Sequence, residues 1–127
     1  MRLVDTSAWI EWVSRTELDR QIVPLLPART EWLVPTIVQF ELSKWVARNS
    51  AGQQRGEPMI AFSNGCVVAP LSTEIALAAA AIGQRHQLAV ADSIVYATAR
   101  AFGADLLTCD AHFEGMAHVL FIDKRTQ

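Results

Sequence analysis

The chain has 127 residues, 51% of them hydrophobic and 19% charged, and its net charge is −2 at pH 7. These values predict one globular domain over residues 1–127, with a core that needs no disulfide or structural metal, and they exclude a disordered chain. No apolar run approaches the roughly 20 residues that cross a bilayer, and an acid at residue 5 interrupts any signal-peptide core, so we expect a cytoplasmic protein without a membrane partner.

Short apolar runs alternate with helical patterns along the chain. In chain order, these patterns predict a strand over 2–4, helices over 7–14 and 16–26, a strand over 32–34, a helix over 36–49, a short helix over 59–62, a strand over 66–69, helices over 72–84 and 91–102, and strands over 105–108 and 119–122. Thr16 and Asp19 are predicted to cap the second helix. The polar, glycine-bearing stretch 49–58 predicts a surface connection.

The alternation of strands and helices predicts an α/β fold. We expect a central, mostly parallel twisted sheet flanked by helices on both faces. Such sheets bind ligands beyond the carboxyl ends of their strands. Side chains that directly follow a predicted strand are therefore the first candidates for a functional site.

Two acids follow predicted strands directly. Asp5 comes after the run RLV, and Asp110 comes after ADLLTC. A threonine accompanies each acid, Thr6 in the first case and Thr108 in the second. The alternative for each carboxylate is that it caps the helix that follows.

Two further acids lie on predicted helices. Glu41 falls on the edge of an apolar stripe, where a carboxylate costs free energy unless it is paired. The alternative for Glu41 is a surface ion pair with Lys44 or Arg48. Asp92 lies in the first turn of its helix, and the alternative there is a capping or helix-dipole role.

The four acids together suit a metal centre. Grouped carboxylates repel each other, and some stay protonated unless a cation neutralises them. Mg²⁺ and Mn²⁺ prefer oxygen ligands, and such ions promote the attack of water on a phosphodiester. If four of the thirteen acids surround metal ions, the rest of the chain carries a net charge of +2. The overall charge therefore does not exclude a nucleic-acid partner.

Cysteine and histidine supply no zinc pattern. Cys66 and Cys109 are far apart and lack CxxC spacing, so we interpret both as buried, reduced thiols. His86, His112 and His118 have no metal-ligand spacing among them. We interpret His112 as a helix-start or surface histidine.

Four segments carry a family resemblance. VDTSAWIEW, FELSKW, ADSIVYATA and LLTCDAHFEG, in this order and spacing, resemble the motifs of PIN-domain proteins. The chain is similar over nearly its whole length to the short, single-domain VapC ribonuclease toxins of bacterial toxin–antitoxin pairs. The resemblance implies a metal-dependent endoribonuclease that leaves a 5′-phosphate on one product.

The resemblance also implies roles for individual residues. The family's acidic set corresponds to Asp5, Glu41, Asp92 and Asp110. The expected ligands of Mg²⁺ or Mn²⁺ are Asp5, Asp92 and Asp110. Glu41 is expected to orient or deprotonate the attacking water. The hydroxyls expected to orient the carboxylates are those of Thr6, Ser7 and Thr108.

Partners follow from the same resemblance. It implies an RNA substrate, a homodimer, and a small cognate VapB-like antitoxin whose tail covers the acidic cleft. Large aromatic side chains are candidates for the protein interfaces, with core packing as the alternative. They are Trp9, Trp12, Trp45 and Phe62.

Two other classes of function remain open at this point. One is a catalytically inactive PIN-like module that binds a metal, RNA or a basic peptide in the acidic cleft without cleaving anything. The other is a phosphatase-like hydrolase with Asp5 as the phosphoryl acceptor. That second class expects a DxD pair, and the residue two positions after Asp5 is Ser7.

Overall fold

A computed structural model describes the backbone of residues 1–126 and the side chains of residues 1–49 and 57–125. One five-stranded sheet with the order β3-β2-β1-β4-β5 forms its centre, and every neighbouring pair of strands is parallel. The strands are β1 (Arg2–Val4), β2 (Trp32–Pro35), β3 (Val67–Ala69), β4 (Asp105–Thr108) and β5 (Val119–Phe121). The predicted parallel sheet is confirmed.

Six α-helices in the described part of the chain connect these strands. They are α1 (Thr6–Ser14), α2 (Asp19–Ile22), α3 (Thr36–Arg48), α4 (Ser50–Asn64), α5 (Thr73–His86) and α6 (Val90–Ala101). The chain runs from β1 through β2 to β3, and then returns past β1 to β4 and β5. Right-handed crossovers in opposite directions place their helices on opposite faces of the sheet, which confirms the predicted α/β layers. Within the described residues, no helix has the length and apolar character to span a bilayer.

The three central strands form the middle of the core. Leu3, Leu33 and Leu106 are fully or almost fully buried, as are their apolar neighbours in the same strands. Near-continuous apolar runs of this kind are typical of parallel strands covered on both faces. The predicted strands match the observed ones to within one residue for this reason.

An aromatic cluster fills one side of the core. The rings of Trp9, Trp12, Trp32 and Phe62 pack with centroid distances of 4.9–6.1 Å. The guanidinium of Arg29 lies 4.1 Å from the centroid of the Phe62 ring. Trp9 is therefore a core residue, since it is fully buried. Trp12 and Phe62 are partly buried and pack against the same core.

The predicted connection over 49–58 is wrong, because α4 begins at Ser50. Glycine and proline inside a helix cost about 1 and 3 kcal/mol respectively, so the local composition disfavours this helix. Packing outweighs that cost: Met59 and Ser63 are buried, and Phe62 belongs to the aromatic cluster. The side chains of residues 50–56 lie outside the described part of the structure.

The predicted helix over 16–26 is also only partly correct. Its α-helical part is Asp19–Ile22, and the 3₁₀ turn Val23–Leu25 follows. Pro24 has no N–H to donate and ends the regular helix. The predicted cap is wrong as well, since the hydroxyl of Thr16 donates to the carboxylate of Glu11 and no side chain caps α2.

The sheet has a topological switch point between β1 and β4. These two strands are neighbours in the sheet, although the connections that follow them lead away in opposite directions. The backbone N–H of Asp5 donates to the carbonyl oxygen of Leu107 over 2.9 Å, so the two strand ends lie side by side. Open α/β sheets bind their ligands in the crevice at such a point.

Candidate active site

The carboxylate of Asp5 is buried at the carboxyl end of β1, with 5% of the residue exposed. It occupies the position before α1, yet it makes no capping hydrogen bond to that helix. Its Oδ2 instead accepts hydrogen bonds from Thr108 Oγ1 over 2.7 Å and from Ser7 Oγ over 3.0 Å. The capping alternative for Asp5 is therefore wrong.

The same two hydroxyls connect Asp5 to the chain that leaves β4. Ser7 Oγ accepts from the backbone N–H of Cys109 over 3.0 Å, and Thr108 Oγ1 accepts from that of Asp110 over 3.0 Å. The two hydroxyl oxygens are 3.2 Å apart. The start of α1 and the segment after β4 are thereby fixed relative to each other.

Burial raises the pKa of Asp5 to about 6, the largest cause being loss of solvation. The hydroxyls of Thr108 and Ser7 act in the opposite direction, because they donate to the ionised form. The negative charge of Glu41 raises the pKa of Asp5 further. A cation beside Asp5 would reverse this balance, since it stabilises the ionised carboxylate.

Glu41 projects from α3 towards the same crevice. Its Oε1 accepts a hydrogen bond from Thr6 Oγ1 over 2.7 Å, which brings it beside Asp5. Among the described side chains it forms no ion pair with Lys44 or Arg48; the ammonium of Lys44 lies 5.4 Å from the Phe40 ring centroid. The surface ion pair considered for Glu41 is therefore wrong.

Asp92 and Asp110 come together beside the segment that follows β4, and His112 contacts both of them. Nδ1 of His112 is 3.1 Å from Asp92 Oδ2 and 3.3 Å from Asp110 Oδ1. One carboxylate oxygen from each acid and Nδ1 all lie within 4.8 Å of one another. The segment after β4 thus brings together an acid of α6, its own acid and an imidazole.

The pKa values of Asp92 and His112 are shifted because Asp92, Asp110 and His112, which we call the second group, lie close together. Partial burial is the largest cause that raises the pKa of Asp92, and the charge of Asp110 adds to it. The hydrogen bond to Asp92 is the main cause that raises the pKa of His112, followed by the charge of Asp110. The imidazole therefore offsets part of the repulsion between the two carboxylates.

The capping alternatives for these two acids have different outcomes. Asp110 Oδ1 accepts from the backbone N–H of His112 over 2.9 Å and caps the 3₁₀ turn Ala111–Phe113, so capping is confirmed for Asp110. Asp92 makes no side-chain cap, although it lies in the first turn of α6, where the helix dipole favours an acid. The oxygen that caps the turn, Asp110 Oδ1, is also the oxygen that lies 3.3 Å from Nδ1 of His112. Capping therefore does not exclude Asp110 from a functional site.

His112 is a contact that sequence reasoning missed. It is exposed, as expected, with 70% of its side chain accessible, but it contacts both acids of the second group. Its position two residues after Asp110 was the available signal. Both cysteines are free; Cys109 is buried as predicted, whereas Cys66 is only partly buried. Burial raises the pKa of both thiols, to about 11 for Cys109.

The donor chemistry fits a hard divalent cation. Asp5 with Glu41 forms one group of oxygens, Asp92 with Asp110 forms another, and Thr108 links Asp5 to the backbone of Asp110. Carboxylate oxygens are the ligands that Mg²⁺ and Mn²⁺ prefer. A cation would relieve both the burial of Asp5 and the repulsion within the second group.

This fold and acid-lined crevice define a PIN domain. The family model for the PIN domain matches residues 2–119. The chain therefore belongs to the PIN-domain family, which confirms the resemblance seen in its motifs. Comparison with curated protein sequences gives no match.

Solved structures of toxin–antitoxin proteins are similar to this chain. The first, from a toxin–antitoxin complex of Klebsiella pneumoniae, has a TM-score of 0.80 at 21% identity, covering 94% of this chain and 96% of that one. The VapC20 toxin of Mycobacterium tuberculosis, which cleaves the sarcin–ricin loop, has a TM-score of 0.75 at 17% identity, covering 94% and 97%. DNA-bound VapBC from Salmonella typhimurium has a TM-score of 0.73 at 18% identity, covering 97% and 98%. These similarities establish a shared fold.

The buried carboxylate of Asp5 leads to a prediction about stability. Because the pKa of Asp5 is about 6 in the folded protein and 3.8 for an ordinary aspartate, the folded state binds a proton more tightly than the unfolded state. The stabilising contribution is complete below about pH 4 and is lost as the pH rises through 6. In EDTA at pH 7.5, Asp5→Asn should therefore increase the free energy of unfolding by an amount on the order of 1–3 kcal/mol, and its melting temperature should exceed that of the wild type.

Thermal melts from pH 4 to pH 8 test this expectation. The difference between Asp5→Asn and wild type should shrink as the pH falls towards 4. Asp105→Asn is the matched control, because Asp105 lies at the opposite end of β4 and pairs with Arg2 over 2.8 Å, so its loss should slightly destabilise the protein. An Asp5→Asn variant that is less stable than wild type at pH 7.5 in EDTA contradicts the proposed electrostatic cost.

Proposed function

We propose that this chain is the toxin of a VapBC-type pair and hydrolyses RNA phosphodiester bonds with a metal-activated water. The observation that carries the proposal is the crevice at the switch point. There the hydroxyls of Ser7 and Thr108 hold the buried carboxylate of Asp5, the charge of Glu41 acts on it, and Thr108 links it to the segment whose Asp110 comes together with Asp92. Membership of the PIN-domain family supports it. So does the similar fold of VapC20, a toxin that cleaves the sarcin–ricin loop. Residues 1–127 would act as one nuclease domain.

The residues proposed to hold Mg²⁺ or Mn²⁺ are Asp5, Asp92 and Asp110. When bound, the ion would lower the pKa of a water and offset the charge that develops on the phosphate. Ser7 and Thr108 hold Oδ2 of Asp5 in one orientation through their hydrogen bonds. Neither hydroxyl donates to Oδ1, and this is the Asp5 oxygen that we propose as a metal ligand.

Glu41 is proposed to orient the attacking water and accept its proton. Thr6 donates to Oε1, which fixes the carboxylate beside Asp5 and leaves Oε2 for the water. Attack on the phosphorus would then break its bond to the 3′ oxygen of the preceding nucleotide, which leaves as a hydroxyl after taking a proton from solvent. The product carries a 5′-phosphate, as the family resemblance implies.

A groove along α3 is suited to a single RNA strand. It encloses about 590 Å³ and begins at Thr6 and Glu41. Further along it are the cationic side chains of Lys44 and Arg48 and the ring of Phe40, which is 56% exposed. Unpaired bases stack on exposed aromatic rings, while lysine and arginine contact phosphates. The groove would therefore lead a flexible strand to the acids.

The proposed partners are a VapB-like antitoxin and a second copy of this chain. The structural neighbours include toxin–antitoxin complexes, which supports the antitoxin. Exposed apolar side chains support a homodimer, because Leu77 of α5 and Val90 of α6 are 69% and 79% exposed. Because the proposed substrate is RNA, we propose that the protein acts in the cytoplasm.

Cleavage assays with two matched aspartate variants test the nuclease proposal. Asp110→Asn should lower the rate of RNA cleavage in Mn²⁺ or Mg²⁺ by at least about 100-fold, since even the groups that orient metal ligands contribute 10–100-fold. Asp105→Asn, at the other end of the same strand, should cleave at nearly the wild-type rate. EDTA should abolish cleavage by both the wild type and the control.

Two outcomes count against the proposal. Wild-type protein that cleaves no RNA in either metal favours the catalytically inactive binding module. An Asp110→Asn variant that cleaves as fast as wild type shows that the acids of the second group do not carry the reaction.

Binding measurements test the role of the groove. In the inactive Asp110→Asn background, Lys44→Ala should weaken the binding of single-stranded RNA and lower the slope of log K against log salt by about 0.7, the value for one phosphate contact on a single strand. Arg20→Ala, which removes an exposed cation on α2, is the control and should leave the slope unchanged. Equal slopes for all three proteins would remove Lys44 from the proposed RNA path.

A further inference from the structure

We propose that His112 is a ligand of the divalent ion through Nδ1, and that it makes the centre select Mn²⁺ over Mg²⁺. The inference rests on the proposed metal-dependent nuclease and specifies which ion that enzyme uses. It adds an imidazole nitrogen to the oxygens expected from the acids. His112 would thus determine the metal preference, while the acids supply the charge.

The distances around Nδ1 match those between neighbouring ligands of one ion. Two ligand atoms at right angles, each about 2.1 Å from an ion, are about 3.0 Å apart. Nδ1 of His112 is 3.1 Å from Asp92 Oδ2 and 3.3 Å from Asp110 Oδ1. Two ligands on opposite sides of the ion are about 4.2 Å apart, and all three donor atoms lie within 4.8 Å of one another. After small side-chain adjustments, all three donor atoms would therefore suit a single divalent ion.

The backbone that carries the imidazole is well anchored, although the ring is exposed. The N–H of His112 donates to Asp110 Oδ1 over 2.9 Å. The next residue, Phe113, is fully buried, and its ring stacks on Tyr96 with a centroid distance of 6.4 Å. The hydroxyl of Tyr96 donates in turn to the carbonyl oxygen of Ala117 over 2.8 Å. The backbone of His112 is therefore held in place, and only its side chain is exposed.

The mixed donor set distinguishes the two candidate ions. Mg²⁺ is a hard ion that prefers oxygen and retains several waters. Mn²⁺ also takes carboxylate oxygens, but as a transition-metal ion it binds an imidazole nitrogen more strongly than Mg²⁺ does. Carboxylates alone leave the choice between the ions open, whereas a nitrogen ligand favours Mn²⁺.

The alternative role for His112 is a simple ion pair with the two acids. An ion pair would screen Asp92 and Asp110 without contacting the metal, and it would affect the binding of both ions alike. A nitrogen ligand would instead change the ratio of the two affinities. This difference makes the affinity ratio the deciding quantity.

Titration calorimetry with MnCl₂ and MgCl₂ on the full chain measures that ratio. His112→Ala should weaken Mn²⁺ binding by about tenfold, in the range that perturbing a metal ligand produces, and should weaken Mg²⁺ binding by less than about twofold. His86→Ala is the matched control, since His86 lies beside Tyr96 and outside the cluster formed with Asp92 and Asp110. It should leave both affinities unchanged.

Electron spin echo modulation of bound Mn²⁺ provides an independent readout. The wild type and His86→Ala should show modulation from an imidazole ¹⁴N, and His112→Ala should lose it. An unchanged affinity ratio, equal weakening of both ions, or a ¹⁴N signal that persists in His112→Ala overturns this inference and leaves the nuclease proposal intact. Wild-type protein that binds neither ion overturns both.

Discussion

The burial of one carboxylate between two hydroxyls is the interaction on which the rest of the site depends. Asp5 is 5% exposed, and its Oδ2 is held by Ser7 and Thr108. Those hydroxyls also accept backbone N–H groups from the segment that follows β4. The position of Asp110 relative to Asp5 is therefore set by hydrogen bonds that converge on a single oxygen. This arrangement opposes stability, because burial favours the protonated acid, and conflict of this kind is common at functional sites.

Topology brings the remaining acids to the same place. The order of the sheet puts β1 beside β4, so that residues 103 positions apart, Asp5 and Thr108, share a hydrogen bond. The helices that border the crevice then add one acid each, Glu41 from α3 and Asp92 from α6. A chain with net charge −2 can in this way concentrate acids at one edge and still present cations such as Lys44 along the adjoining groove.

Much of this arrangement could be predicted from the sequence. The central strands were recognisable because burial on both faces requires apolar runs, and Asp5 and Asp110 stood out because they end such runs. The four acids were chosen for their places on strands and helices, and the structure gathers them at one edge of the sheet. It could not be predicted from the sequence which hydroxyl donates to which acid. In the structure Ser7 donates to Asp5, and Thr6 donates to Glu41.

Other features depend on contacts between distant residues and could not be predicted from the local sequence. Helix α4 crosses glycines and a proline because its second half packs into the core through Met59 and Phe62. The contacts of His112 depend on the turn after β4 and on the placement of α6, and its position two residues after Asp110 does not by itself show that the ring contacts Asp92. In both cases tertiary packing overrides the local pattern.

Anomalous diffraction from crystals soaked in MnCl₂ would show whether these acids bind a divalent ion. We expect an anomalous peak in the crevice, about 2.1–2.2 Å from carboxylate oxygens of Asp5, Asp92 and Asp110. Manganese found only elsewhere on the protein, with these carboxylates free of metal, would rule out a metal-dependent nuclease built on these residues.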